Sequence, residues 1–305
     1  MISRRQFLRL VATSGVAGAA TTGYAFAEPF LDLKITRYDF TPKRWPDGFK
    51  LKIAALADLH ASEPVMGIDR IRSIVDQTNA LGADVIVLLG DYICRRSVWR
   101  EPVPPKDWAS ALAQLRAPLG VHAILGNHEF WDDRAFLQAG GDVAPFAKRA
   151  LEDVGIPIYE NEVVQLRKDG NPFWLAGLGD QLAHMMIPRR SRRGRPIGLD
   201  DLSGTLGKVT DDAPVILLAH EPDIAPRVPE RVSLILSGHT HGGQVRLFGW
   251  SPLVPSEFGN RFAYGHVREQ CDIVISGGLG CSIAPVRIGV PPEIVLVTLG
   301  GAKAA

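Results

Sequence analysis

Side chains able to hold a metal ion recur at one kind of place in this chain, the end of an apolar run. "LKIAALA" leads into Asp58-Leu59-His60, "VIVLLG" into Asp91, and "VHAILG" into Asn127-His128. "PVILLA" leads into His220, and "SLILSG" into His239-Thr240-His241. Asp58, His60, Asp91, Asn127, His220, His239 and His241 offer four imidazoles, two carboxylates and one amide. That is too many for one tetrahedral zinc. Mixed nitrogen and oxygen ligation suits borderline divalent ions such as Mn, Fe, Zn or Co. These groups suffice for two ions if one carboxylate bridges. Paired ions about 3.5–4 Å apart form the clamp used for phosphate-ester hydrolysis. The i, i+2 spacing lets His239 and His241 point to one side where a strand frays, and Asp58 and His60 repeat it. Gly238, Gly242 and Gly243 permit the close backbone approach that such a turn needs.

The elements that must position these groups follow from hydrophobic pattern. Short, near-continuous apolar runs suit strands buried on both faces. "FWLAGL", "DIVISGG" and "EIVLVTL" read as strands without such endings. Ile68 to Leu81 has helical spacing, and Trp108 to Leu115 and Phe146 to Val154 read similarly. Alternation of strand and helix predicts an α/β fold. In such sheets functional groups gather beyond the carboxyl ends of the strands, so distant endings can converge.

The chain has 305 residues, 46% hydrophobic and 22% charged, enough for one large core or two modest ones. Arg4-Arg5-Gln6-Phe7-Leu8 precedes an uncharged stretch, Val11 to Ala27, which ends Ala-Phe-Ala before Glu28. This resembles a twin-arginine export signal with a small-x-small cleavage pattern. The expected organisation is a signal peptide over 1–27, a lead-in segment over 28–50, a catalytic domain over 51–300 and a tail over 301–305. Without residues 1–27 the chain carries 31 basic against 33 acidic residues, which argues against nucleic acid as the main partner. Cys94, Cys271 and Cys281 contain no CxxC and read as buried small apolar residues.

The order "DLH", "GD", "GNHE", "AHEP", "GHTH" resembles the calcineurin-like metallophosphoesterase family, over Leu51 to Leu299. The resemblance implies a four-layer α-β-β-α sandwich of two mixed sheets flanked by helices. It also implies that Asp58, His60 and His241 hold one metal, Asn127, His220 and His239 the second, and Asp91 bridges them. His128 is then no ligand but the acid beside the scissile phosphate, protonating the leaving oxygen while a metal-activated water attacks phosphorus in line. "GGQVRL" and "GLGCSIAPVRIGVPPEIVLVTL" narrow the resemblance to an exported or membrane-associated bacterial branch close to YaeI and YkuE.

One departure stands out. Protein phosphatases of this superfamily show G-D-x-x-D-R-G, whose second Asp orients the catalytic His. In this chain "GDYICRRS" puts Cys94 at that position. An Asp or Glu from elsewhere, Glu129 for one, is expected to substitute, and Arg95 is a candidate phosphate contact. Trp131, Phe248, Trp250, Phe258, Phe262 and Tyr264 either line an apolar groove or pack their loops onto the domain. Arg189, Arg190, Arg192, Arg193 and Arg195 form either a solvated loop or a basic rim for anionic groups.

The expected activity is hydrolysis of phosphodiesters and monoesters of small or lipid-linked substrates, with two divalent ions (Mn, Fe or Zn) as cofactors. The expected partners are the twin-arginine export machinery and, peripherally, a membrane. The expected location is the periplasm or the outer face of the cytoplasmic membrane. Two alternatives stand beside this: a UDP-2,3-diacylglucosamine pyrophosphatase-like enzyme of the lipid A pathway, and a non-catalytic envelope protein binding metal or lipid.

Overall fold

Each of the five apolar runs that end in a candidate ligand forms a strand. In chain order the strands are β1 (Lys34–Phe40), β2 (Leu51–Leu56), β3 (Ser62–Glu63), β4 (Val85–Leu88), β5 (Glu101–Pro102), β6 (Val121–Ala123), β7 (Glu162–Lys168), β8 (Asn171–Gly177), β9 (Val215–Leu218), β10 (Val232–Ser237), β11 (Gly265–Arg268), β12 (Asp272–Ile275) and β13 (Glu293–Leu299). This computed structural model describes residues 22–31, 33–192, 194–282 and 284–301. The Arg4-Arg5 pair, most of segment 1–27, Arg193 and residues 302–305 lie outside the described residues.

The strands form two large mixed sheets, β1-β13-β2-β4-β6 and β11-β12-β10-β9-β8-β7, with β3 and β5 paired separately. In the first, β2, β4 and β6 run parallel while β13 is antiparallel to β2. In the second, β8, β9, β10 and β12 run parallel between antiparallel edge strands β7 and β11.

Side chains alternate across a strand, so each sheet buries two faces. Ile53, Val87, Leu218, Leu236 and Val297 meet in the core between the sheets. On the outer face of the first sheet, Ala54, Ile86 and Leu88 join a core with Ile71, Trp108 and Leu151. Those three come from the helices Ile68–Ala80, Pro105–Leu112 and Phe146–Asp153. On the outer face of the second, Leu217, Ile235 and Ile273 join Ile224 and Leu206, the latter from helix Leu202–Gly207. The result is the four-layer sandwich that the family resemblance implies.

Two local differences from the sequence reading have plain causes. The middle helix begins at Pro105 rather than Trp108 and ends at Leu112. Proline at the first helical turn supplies a preset φ and lacks an N–H that would be orphaned there anyway. The segment 28–50 also contributes β1, which pairs in parallel with β13 from Lys34↔Glu293 to Phe40↔Leu299. Its half-exposed pattern is that of an edge strand.

Candidate metal centre

The carboxyl ends of β2, β4 and β6 from one sheet meet those of β9 and β10 from the other. Asp58, His60, Asp91, Asn127, His220 and His241 are all buried at this junction, with relative exposures of 0–2%. His239 is half-buried beside them. Three clusters of ligand atoms result: Asp58, His60 and His241; Asp91, His220 and His239; and His60, Asp91 and His128.

The backbone is bent to bring these atoms inward. Asp58, His60, Asp91, His239 and His241 have φ of 54°, 45°, 56°, 68° and 51°. Left-handed backbone costs an L-residue roughly 1–2 kcal/mol, and it persists only where surrounding structure enforces it. The enforcing contacts are visible: Asp58 N–H donates to Gly90 O (3.1 Å), and His60 N–H to Asp91 O (2.9 Å). His239 N–H donates to Asp58 Oδ1 at 2.9 Å. Gly126 is required by proximity, since a Cβ there would lie 2.5 Å from Asp91 Oδ1 and 2.6 Å from the His220 ring.

The donor set fits divalent ions. His60 Nδ1 lies 3.0 Å from Ile93 O, and His220 Nδ1 lies 2.7 Å from Leu89 O. A carbonyl accepts a hydrogen bond, so each Nδ1 carries a proton and each Nε2 faces the cluster. Burial opposes a charged His220 ring, but Asp91 outweighs it and holds the His220 pKa well above its ordinary value, so His220 must release its Nε2 proton to take a metal. His60 Nε2 sits 3.1 Å from His241 Nε2 and 3.6 Å from Asp91 Oδ2. His220 Nε2 sits 3.2 Å from Asp91 Oδ2. His239 Nδ1 sits 2.8 Å from Asn127 Oδ1. Asp58 Oδ2 and His220 Nε2 have no hydrogen-bond partner despite burial, and the Asn127 Nδ2 donor has none either. Of the asparagine it is Oδ1, facing His239, that could ligate a cation. Crowded, inward-facing acceptors of this kind are satisfied by cations.

Electrostatics differ between the two aspartates. Burial first, then the Asp91 charge, pushes Asp58 up to about 7 against the pull of His220. Burial alone would raise Asp91 too, but His220 and His128 hold it well below the usual range. His60 is pushed down to about 3, by burial and by the neighbouring His128 charge. It is therefore neutral and available as a ligand.

His128 begins differently. Its Nδ1 lies 2.7 Å from Asp132 Oδ2, one helical turn on, and its Nε2 lies 3.4 Å from Ser282 Oγ. Burial works against a charged imidazole here. Asp91 and Asp132 outweigh it and raise the pKa above the ordinary imidazole value, which favours the protonated ring.

Asp132 takes the place left open by Cys94, and Glu129 does not. The Glu129 carboxylate points away, accepting from the N–H groups of Gly126, Asp91 and Tyr92, each at 2.8 Å. It staples one ligand loop to the next, as the third helical residue of a capping box does. Sequence reasoning missed Asp132 although "HEFWD" puts it four residues after His128, the spacing of helix neighbours. It also missed Arg287, which is fully buried. Arg287 donates to Gly277 O and Val290 O, and its Nη2 lies 3.2 Å from His241 Nδ1.

Beside His128 and Asp132 lies a cavity of about 650 Å³, floored by Val103, Leu137, Phe146 and Met186 and edged by Arg95, Arg96 and Arg134. Of the six aromatic groove candidates, Trp131 lines it and is tied back by its indole N–H to Leu182 O at 2.9 Å. Phe262 belongs instead to the outer core of the second sheet. Tyr264 donates its hydroxyl to Glu293, Phe258 packs edge-on against Phe262, and Phe248 and Trp250 face solvent. In the arginine segment, Arg195 is tied to Gly140 O and Asp142. Cys94, Cys271 and Cys281 are free and buried.

The model of the calcineurin-like phosphoesterases matches residues 51–243, which span every candidate ligand. The chain belongs to that family. It is 30% identical to metallophosphoesterase YkuE of Bacillus subtilis over 309 residues, covering 98% of each chain. A metallophosphoesterase of Aquifex aeolicus is 29% identical over 91% of this chain and 95% of its own. UDP-2,3-diacylglucosamine pyrophosphatase LpxG of Chlamydia muridarum is 26% identical over 88% of this chain and 90% of its own. As a calcineurin-like phosphoesterase, the chain is a metal-dependent hydrolase acting on phosphate esters.

Proposed function

We propose that this phosphoesterase is an exported, dinuclear enzyme that hydrolyses phosphodiesters, and monoesters, of small or lipid-linked substrates. Asp58, His60 and His241 would hold one ion, Asn127, His220 and His239 the other, and Asp91 both, with Mn, Fe or Zn suited to this mixed donor set. Ions so bound supply Lewis-acid stabilisation of the phosphoryl group and an activated water. The protein's own residues do the rest. His128 donates a proton from Nε2 to the leaving oxygen, and Asp132 keeps the ring turned and Nδ1 protonated. Arg95 at the edge of the cavity contacts phosphate, and the apolar floor takes a hydrophobic leaving group.

The observation that carries this reading is the His128–Asp132 pair. It is an oriented imidazole in contact with the ligand cluster, and its partner Asp132 lines the open cavity, an arrangement for which a protein that merely bound metal or lipid would have no use. The arginine pair, the uncharged stretch and the Ala-Phe-Ala ending support twin-arginine export to the outer face of the cytoplasmic membrane or the periplasm. The likeness to LpxG favours a second reading, a UDP-2,3-diacylglucosamine pyrophosphatase-like activity, which would use the same centre.

The test is metal stoichiometry by atomic emission together with turnover of bis(p-nitrophenyl) phosphate, p-nitrophenyl phosphate, a phospholipid and UDP-2,3-diacylglucosamine. Two ions per active chain and preference for a diester are expected. Fewer than two ions in fully active protein would sink the dinuclear reading, and turnover of the nucleotide sugar alone would move the assignment to the second.

A further inference from the structure

Large apolar side chains protrude on three segments that share an anchor. The turn Leu247–Trp250 exposes Leu247, Phe248 and Trp250, with Phe248 wholly in solvent. The turn Ser97–Arg100 exposes Val98 by 92% and Trp99 by 64%. Residues 22–31 expose Tyr24, Phe26, Phe30 and Leu31 by about half each.

All three are fastened to the segment between Gly280 and Val290. Arg246 N–H donates to Ile288 O at 2.7 Å. Arg100 Nη1 donates to Cys281 O at 2.8 Å. Arg287 N–H donates to Ala25 O at 2.9 Å, and Gly289 N–H to Glu28 Oε2 at 3.1 Å. Ser282 of the same segment approaches His128. The protrusions are therefore joined through a segment that borders the catalytic centre.

Scattered exposed apolar residues need no explanation, but this grouping does. Phe248 and Gly249 hold φ of 52° and 81°, the paired positive values of a type I′ turn. Asn, Asp or Gly fits such a position, and phenylalanine is strained there. The turn leaves the aromatic ring fully exposed. Arg95 and Arg96 are exposed near Trp99. Indole rings combined with basic side chains suit the headgroup level of a lipid bilayer. The sequence points to the same occupant for the uncleaved chain: residues 10–27 carry no charge, and this stretch enters the described structure at residue 22, on one of the three protrusions.

We propose that Trp99, Phe248, Trp250 and Phe30 and Leu31, joined in the uncleaved chain by Tyr24 and Phe26, form one docking surface for a phospholipid bilayer, setting the catalytic centre against the headgroups. This holds whichever ester the centre cleaves.

The full chain would be added to phosphatidylethanolamine–phosphatidylglycerol vesicles whose acyl chains carry bromine close to the headgroup. Flotation alone would not separate the protrusions from residues 1–21, so tryptophan quenching is the readout. Of the four other tryptophans, Trp45 and Trp108 are buried, and Trp131 and Trp174 are half-buried with their indole N–H groups bonded to Leu182 O and Asp211 Oδ1, so together they set the background that W99F/W250F retains. Quenching is expected in the parent protein and should be mostly lost in W99F/W250F, whose turnover of bis(p-nitrophenyl) phosphate in solution stays unchanged. No quenching in the parent, or undiminished quenching in the double variant, overturns the proposal. A dimer by light scattering without lipid quenching would assign the surface to a second copy and overturn it as well. None of these results touches the hydrolytic reading, which is scored by metal content and turnover.

Discussion

Asp58 and Phe248 share a left-handed φ, at 54° and 52°, yet one is sealed from water and the other wholly exposed. Around Asp58 the bend is held from several sides. Its N–H is bonded to Gly90, its Oδ1 receives His239 N–H, and Gly238 is so close that a Cβ there would lie 2.7 Å from Oδ2. Around Phe248 the bend is a single hairpin turn, with Leu247 and Trp250 exchanging hydrogen bonds at 2.9 and 3.0 Å. The same strain thus serves two ends. On the floor of the centre it converges ligand atoms that would otherwise repel or go unpaired. On the rim the turn leaves a side chain fully exposed.

Breaking the floor should cost the most. Asp91→Asn removes the carboxylate shared by two of the ligand clusters, and turnover of bis(p-nitrophenyl) phosphate is expected to fall by about 10³-fold or more with loss of bound metal by atomic emission. Retention of full metal content and activity would refute its central position. His128→Ala should keep the metal content but lower turnover by about 10²–10⁴-fold. Asp132→Asn should lower it by less, about tenfold, while Glu129→Gln, which also removes a charge that helps raise His128, should shift the pH profile less and act mainly on stability, by about 1.5–3 kcal/mol in denaturant titration. Equal kinetic losses for Asp132→Asn and Glu129→Gln would undo the division between an orienting acid and a stapling one.

Metal affinity should also depend on pH with a definite sign. Asp58 must be ionised to bind a cation, and in the metal-free protein it is pushed up to about 7. Below that pH protons compete, so Mn²⁺ affinity measured by calorimetry should weaken by up to about tenfold per pH unit on acidification, with proton release on binding. A flat affinity between pH 6 and 8 would contradict the buried state of Asp58. The smallest effect belongs to the rim. Phe248→Gly relieves left-handed strain and should stabilise the protein by about 1 kcal/mol in thermal unfolding, with turnover in solution unchanged. Destabilisation there would mean that the aromatic ring packs on something.

The candidate ligands were legible because each lies where an apolar run stops, and a polar group directly after a buried strand has few places to go but the strand's carboxyl end. Phe262 shows the limit of that reading. It stands in a loop next to the motifs, yet it is fully buried in the outer core, because apolar character alone does not say which surface a loop folds onto. Cys94 made the histidine's partner a question, and the spacing of helix neighbours held the answer in Asp132. Glu129 competed for that role in sequence, but the unpaired N–H groups of the adjacent loop took its carboxylate first.

From the sequence alone came eight of the strands, their candidate metal-binding endings and the family, since hydrophobic period and residue order are local properties of the chain. The tertiary structure decided what depends on meetings between distant segments. It drew the endings of two separate sheets into one buried junction. It turned Asp132 rather than Glu129 onto His128. It tied three apolar protrusions to a single loop beside them. Such choices rest on burial and on which hydrogen-bond partners come within reach, and neither exists until the layers have packed.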